Sequence, residues 1–383
     1  MQLDQEPVMS DAAGSPTAVS PTAVSPTAQR KDDHLRLAME QHNAASRRDY
    51  DEVRFVHHAL AGGGGVPANL ASPAFGWSTP FYVNGMTGGS DQAEAINRNL
   101  GIVARETGIP IACGSMGIVL REPETARSFR VLREANPDGF VMANTNANAS
   151  AADAKHLVEV LEANALQIHI NAGQETAMPE GDRDFSAWEA NIAAIVDALE
   201  VPVIVKEVGQ GLSRGTVAQL RDLGVAGVDV AGRGGTDFGA IESARGLGAR
   251  SYLAGWGQSA VSALVEASPL PGVGALTGGV ALLASGGVRH PLDVVRALAL
   301  GADAVGVAGQ FLYVLTSQGP DALVELVQGW LEEVAHLMAL LGVHDVAGLR
   351  HTDLLLTGAV REHAELRGVD VTGYARRSPF SQV

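Results

Sequence analysis

From about residue 80 the chain repeats one theme: a short apolar run, a polar or glycine-rich end, then a segment whose apolar positions recur with helical spacing. The runs are FYVNGMTGG, IPIACGSMG, GFVMANTNA, ALQIHINAG, VPVIVKEVG, GVDVAGRGG, VALLASGGVR and AVGVAGQFL, eight in all. Strands that alternate with helices pair in parallel. Eight such units over roughly 250 residues match the count and size of an α/β TIM barrel, (β/α)8. An open, doubly wound sheet is the alternative arrangement of the same elements.

The run QIHINAGQE shows the pattern at its sharpest. A two-residue period puts Gln167, His169 and Asn171 on one face and Ile168 and Ile170 on the other. In a barrel, Leu166, Ile168 and Ile170 pack outward under the helices, the polar set looks inward, and active sites lie at the C-terminal strand ends. A buried polar layer of purely structural use would explain this strand alone, but the other strands end in the same manner.

The flanks are different. Residues 1–29 contain SPTAVSPTAVSPTAQ, a repeat with little to bury, and are expected to form a disordered tail. RKDDHLRLAMEQ follows as a basic start to a helix-compatible run, and GGGG at 62–65 marks a flexible connection. Residues 30–383 are therefore expected to form a single barrel domain with N- and C-terminal extensions. The segment 237–279 exceeds an ordinary crossover and is expected to cover the barrel mouth or serve an oligomer contact. Trp256 lies in it, either packed structurally or shielding a ligand.

Composition narrows the classes of function. A chain of 383 residues with 46% hydrophobic and 18% charged residues buries a core easily, but its formal charge of −16 argues against a nucleic-acid or anionic-membrane surface. An anionic ligand would need a local cluster of cations. The single cysteine, Cys113, cannot form an internal disulfide, which suits a reducing cytoplasm. No unbroken apolar run of about 18 residues and no basic-then-hydrophobic leader is found, so neither a membrane span nor a signal peptide is expected.

Candidate chemistry gathers at the strand ends. In SGGVRHPLDVVRALALGADAVGVAGQFL, Gly286 and Gly287 follow one strand and Gly309 the next, so backbone N–H groups at adjacent ends can surround a phosphate, with Arg289 as a charged fork. Lys206 ends an apolar strand, where an unpaired ammonium is costly, and alternation points Glu207 to the opposite face. A flavin mononucleotide satisfies Lys206 and the phosphate cradle together. Thr87, Gly88, Gly89, Ser115, Asn144 and Thr236 are compact polar or glycine residues that leave room for a planar ring. No Asp or Glu stands inside the strand runs as an evident strong acid pair.

With RKDDH, NGMTGGS, QIHINAGQE, VIVKEVGQGLS, DVAGRGGTDF, SGGVR and LLLTGAVREHAELRGVD in place, the chain after residue 29 resembles the type 2, FMN-dependent isopentenyl-diphosphate isomerases. The resemblance implies that Arg30 and Lys31 hold a substrate diphosphate together with Ser115, Met116 and Gly117, that Glu175 binds Mg2+, and that His169 and Asn171 complete the polar shell. Gln174 would lie by the reacting carbons and act with His169 and Lys206 in catalysis. FMN would contact Met86, Thr87, Gly88, Ser115, Asn144, Lys206, Thr236, Gly286, Gly287, Arg289, Ala308 and Gly309. Reduced FMN would shuttle the protons, Lys206 favouring its anionic ring and Gln174 assisting. NAD(P)H would prime it by reduction, binding transiently because no separate GxGxxG fingerprint is present. A homo-oligomer, tetrameric or larger, is implied.

The chain departs from that family in three places, one of them His290 and Pro291 after GGVR, which alter the usual helix start. A basic residue soon after Ser115 is replaced by SMGIVLR, which delays arginine to Arg121, and GRGGTDF puts Arg233 and Asp237 in a loop, leaving Arg121 or Arg233 to supply the missing contact. An FMN-dependent 2-hydroxy-acid oxidase is the enzymatic rival, but the His-Gly-x-Arg it needs after the sixth strand is replaced by DVAGRGGTD. A catalytically silent FMN-binding scaffold is the rival from another class.

Overall fold

The structure, a computed structural model, describes residues 26–42, 48–62, 67–245, 250–269, 273–274 and 279–381. A short strand β1 (Val53–Phe55) precedes the barrel strands β2 (Phe81–Val83), β3 (Ile111–Ala112), β4 (Val141–Asn146), β5 (Ala165–His169), β6 (Val203–Lys206), β7 (Gly227–Asp229), β8 (Ala281–Ser285) and β9 (Ala304–Val307). β2 to β9 pair in parallel in sequence order, and β9 returns to β2, which closes the barrel. Each of the eight apolar runs supplies one of these strands. A further strand, β10 (Leu354–Leu356), pairs antiparallel with β1 outside the barrel. This two-stranded pair has too few residues to show a period in the sequence.

Helices follow the strands: α1 (Pro26–His42) before the barrel, then α2 (Asp91–Thr107), α3 (Arg127–Ala135), α4 (Ala151–Leu161), α5 (Ala172–Ala177), α6 (Trp188–Ala198), α7 (Arg214–Asp222), α8 (Phe238–Arg245), α9 (Ala260–Ala267), α10 (Pro291–Ala299), α11 (Gly309–Gln318) and α12 (Pro320–Leu340). Several begin on a serine whose hydroxyl accepts a backbone N–H, such as Ser90 from Ala93 and Ser213 from Thr216. Ser150 and Asp153 form a reciprocal capping box at α4.

The two-residue period places the core. Outward residues such as Val141, Ala143, Leu166, Ile168, Val203 and Val205 are buried under the helices, each large one contributing about 1.5–3 kcal/mol. Inside, the lower barrel is apolar, filled by Tyr82, Met142, Ile204 and Leu283 and plugged by Trp77 with Phe75 and Phe140. The upper layer is polar. The register pairs Asn144 with Gln167 and sets His169, Lys206 and Asp229 side by side on β5, β6 and β7. Gln167 and His169 thus look inward while Ile168 packs outward, as the alternation predicts.

One expectation needs adjustment. Of the tail expected over 1–29, residues 1–25 lie outside the described residues, whereas α1 already begins at Pro26, since proline suits a first helical turn. The glycine run is described only at Gly62. The segment 237–279 exceeds an ordinary crossover, as its length predicts. It contains α8 and α9, and α8 lies against α1 and α5.

Candidate active site

A cavity of about 370 Å³ opens at the C-terminal strand ends. Its floor is formed by the inward side chains of β4, β5 and β6, Asn144, His169 and Lys206. Burial pulls the Lys206 ammonium below its ordinary pKa, against the charges of Asp229 and Glu207. Its Nζ donates to the Glu207 carbonyl oxygen at 2.8 Å, while the Glu207 carboxylate accepts from the backbone N–H groups of Val208 and Gln210. Alternation separated the two side chains correctly.

Burial, with the Lys206 charge behind it, lowers the His169 pKa to about 3, so the ring is neutral. The Asn144 amide nitrogen donates to Gln167 Oε1 at 3.3 Å, which turns Asn144 Oδ1 toward His169 Nδ1 at 2.9 Å. Nδ1 therefore carries the hydrogen in this arrangement and Nε2 is left as an acceptor.

One acid inside the strand runs, Asp229, is placed differently from the site residues. It stands on the inner face of β7, fully buried, and accepts from Tyr82 Oη at 2.8 Å, Asn84 Nδ2 at 3.0 Å, Ser285 Oγ at 2.8 Å and the Ala231 N–H at 3.0 Å. These donors occupy it below the cavity, where it balances Lys206 without lining the site.

The mouth is built by α1, α5 and α8. Lys31 Nζ donates to the Ser115 carbonyl oxygen at 2.9 Å and sits 5.2 Å from the Phe129 ring centroid. Arg30 Nη1 lies 3.7 Å from Glu180 Oε1, and its buried Nε has no partner among the described residues. Gln174 on α5 donates to Glu242 Oε1 at 3.3 Å and accepts from Asn171 Nδ2 at 3.3 Å, which fixes its amide. Glu242 on α8 is fully buried, and its Oε1 also meets His34 Nε2 at 2.7 Å. Burial raises its pKa, but His34 and Arg245 outweigh burial and hold it below the ordinary value. Glu175 Oε1 accepts from Asn171 Nδ2 and Oε2 from the Asp182 N–H, both at 3.0 Å, leaving lone pairs toward the cavity it lines.

The opposite wall is made of glycine-rich turns. Gly286 and Gly287 have φ of 105° and 79°, and a Cβ at Gly286 would stand 2.0 Å from the Gly232 carbonyl oxygen. Glycine is therefore required there by the turn and by the approach of the neighbouring loop, as well as by any ligand. Ala308 caps α11 and Gly309 opens it, so unpaired N–H groups of a helix start reach the same wall. Thr87 Oγ1 lines the cavity from the far side, buried and without a partner among the described residues.

Of the residues expected in the site, all but Gly89 and Met116 line this cavity. Met86, Gly88, Gly117, Thr236 and Arg289 do so with those already described. Met116 does not: its side chain is buried in the core, and only its N–H is directed to a wall strand, donating to the Asn144 carbonyl oxygen at 2.8 Å. Arg121 lines the mouth, whereas Arg233 donates to the Gly255 carbonyl oxygen at 2.8 Å and stays outside. Trp256 is exposed and does not line the cavity. His34, Glu242 and Gln310 were missed. His34 stands in RKDDH and was legible, but nothing in FGAIESARG singles out Glu242.

The profile of the FMN-dependent dehydrogenases matches residues 118–356. Among solved structures, a flavocytochrome b2 mutant with pyruvate bound aligns with a TM-score of 0.61 at 19% identity, covering 82% of this chain and 80% of that one. A (putative) lactate oxidase from Pediococcus acidilactici aligns at 0.59 and 16% identity, over 86% of this chain and 94% of that one. Fold and profile together define an FMN-dependent (β/α)8 enzyme. Sequence relatives narrow the class. The chain is 52% identical over 355 residues to the isopentenyl-diphosphate delta-isomerase of Streptomyces sp. (strain CL190), covering 92% of this chain and 96% of that one. It is 53% identical to that of Kitasatospora griseola, over 93% and 97% of the two chains. The chain belongs to the isopentenyl-diphosphate delta-isomerase family, type 2, and is an intramolecular C=C isomerase.

Proposed function

We propose that the chain interconverts isopentenyl and dimethylallyl diphosphate by proton transfers that depend on reduced FMN, with Mg2+ on the substrate phosphates. The observation that carries this reading is the charge of the lining. In a chain of formal charge −16, the cavity is lined by Arg30, Lys31, Arg121, Lys206 and Arg289 and by one carboxylate, Glu175. Arg30, Lys31 and Arg121 lie at the mouth and Arg289 by the glycine-rich turns, which suits two phosphate-bearing ligands in one space.

The residues fit FMN. Gly286, Gly287, Arg289, Ala308 and Gly309 would hold its phosphate, and Met86, Thr87, Gly88, Ser115, Asn144 and Thr236 its ring and ribityl chain, the orphaned Thr87 hydroxyl gaining a partner. When bound, reduced FMN supplies the proton donor and acceptor that the lining lacks, and an electron-rich face beside developing positive charge. Lys206 places a positive charge at the floor, which favours an anionic ring.

The reaction adds a proton at the terminal alkene carbon and removes one from the methylene next to the diphosphate-bearing carbon, with no net electron exchange. Arg30 and Lys31 would anchor the diphosphate, Glu175 would hold Mg2+ as a hard oxygen ligand, and Ser115, Gly117, His169 and Asn171 would orient the phosphates. A neutral amide is a poor base, so Gln174 is assigned to holding a water or a reacting carbon's proton in position through its tie to Glu242. α1 over the mouth excludes water.

NAD(P)H serves as reductant, used once per oxidised flavin. Exposed Leu60, Tyr252, Trp256 and Leu366 support assembly into a homo-oligomer of four or more copies, which light scattering would test. No described helix is long and apolar enough to cross a membrane, and a cytoplasmic location remains part of the proposal. The oxidase reading is disfavoured because Arg233, the arginine of the relevant loop, is turned away to Gly255. The test is add-back. Flavin-stripped protein is expected to be inactive, to recover with reduced FMN, and to lose activity again with a Mg2+ chelator; turnover without flavin would contradict the proposal.

A further inference from the structure

We propose that Arg183 is a positioning residue for Glu175: it clamps the turn over 178–182 against the end of α5, and that turn aims the carboxylate. The inference rests on reading Glu175 as the Mg2+ ligand.

α5 ends at Ala177, and the carbonyls of its last turn need donors from outside the helix. Arginines supply them. Arg183 Nη1 donates to the Glu175 carbonyl oxygen at 2.6 Å and also approaches those of Gly181 at 2.6 Å and Asp182 at 2.7 Å, its two hydrogens shared among the three. Its Nη2 donates to the Met178 carbonyl oxygen at 2.7 Å. One planar fork thus joins the helix end to the turn that follows it. The packing is close: a Cβ at Gly181 would stand 2.0 Å from the Glu175 carbonyl oxygen. Arg250 Nη1 caps the same helix end, at the Ala177 and Met178 carbonyls, but does not reach the turn at 181 and 182.

The turn in its place brings the Asp182 N–H to Glu175 Oε2 at 3.0 Å, while Asn171 Nδ2 holds Oε1 at 3.0 Å. Two donors, one from each end of α5, fix a side chain that would otherwise rotate, and the remaining lone pairs are left for a cation. From the far side, Asp182 Oδ2 accepts from Asn148 Nδ2 at 2.7 Å, and Asn148 Oδ1 accepts from Trp188 Nε1 at 2.7 Å. Arg183 itself is exposed and does not line the cavity, so it acts only through the groups it holds. Groups that orient a metal ligand typically carry about 10–100-fold of the metal affinity.

The test measures Mn2+ binding to the flavin-loaded protein by the electron paramagnetic resonance of free Mn2+, for the unaltered chain, Arg183→Ala, Arg183→Lys, Arg250→Ala and Glu175→Gln. Arg183→Ala is expected to weaken Mn2+ binding about tenfold or more and to raise the Mg2+ concentration for half-maximal turnover in parallel. The flavin spectrum should not change, and the melting temperature should move little, as for other surface substitutions. Lysine should recover part of the affinity, and Arg250→Ala should leave it within about twofold of the unaltered protein, because the turn keeps its clamp. Loss of Mn2+ binding in Glu175→Gln with none in Arg183→Ala would overturn the positioning role alone. An equal loss in Arg250→Ala would overturn it in favour of a general loosening of α5. Should Glu175→Gln bind Mn2+ as tightly as the unaltered chain, the metal reading of Glu175 falls and the positioning role with it. If Arg183→Ala does not fold, Gly181→Ala takes its place: the added Cβ displaces the turn with the guanidinium intact, and the same loss of Mn2+ affinity is expected, an unchanged affinity contradicting the proposal.

Discussion

Burial of Lys31 at the mouth, reinforced by the charges of Arg30 and Arg121, pulls its pKa from 10.5 to about 7. In the free enzyme Lys31 is thus charged below about pH 7 and neutral above it. An anion prefers the charged form, so kcat/KM for isopentenyl diphosphate should fall as pH rises through about 7. Lys31→Arg, which stays charged, should remove that limb; its persistence in the variant would assign it to the substrate or another group. At the floor, Lys206→Met should lower kcat by about 10²–10³-fold while FMN remains bound, measured by the flavin absorbance of the purified variant. Normal kcat with bound reduced FMN would show that the Lys206 charge has no part in the chemistry. Met116 shows the opposite case, a residue implied by its neighbours in SMG whose side chain turns into the core.

At the level of elements, the start of α10 joins the glycine-rich wall to the body of the fold. Asp293 is fully buried, accepts from the Arg289 N–H at 3.0 Å and pairs with Arg48 at 2.8 Å and Arg296 at 3.3 Å. Asp293→Ala leaves two guanidinium groups without their buried partner and is expected to cost about 3 kcal/mol and several degrees of melting temperature, with weaker FMN retention. A melting curve that does not move would show that Asp51, which also pairs with both arginines, carries the cluster. The barrel strands were legible because each run keeps an apolar outer face while its inner face turns polar toward one end. The β5 alternation alone placed Gln167 and His169. What the sequence hid were pairings that no local period encodes. His34 and Glu242 meet across 208 positions, and the polar inner face of β7 holds an acid only because Tyr82, Asn84 and Ser285 from β2, β8 and their ends converge on it.

Across the whole molecule, an acidic protein lines one cavity with five cations and a single carboxylate. If local charge captures the diphosphate there, KM for isopentenyl diphosphate should rise with ionic strength while kcat stays nearly constant. A KM independent of salt would mean that hydrogen bonds, not the field of the cations, hold the diphosphate. The barrel brings the floor, the glycine-rich wall and the α1 lid to one opening, and the central claim is that this opening houses a flavin used for proton transfer rather than electron transfer. The most direct measurement is stoichiometric: anaerobic turnover of isopentenyl diphosphate with FMN, Mg2+ and limiting NADPH, counting product formed against NADPH consumed. Many turnovers per NADPH are expected once the flavin has been reduced; one NADPH oxidised for each molecule of product would contradict the account.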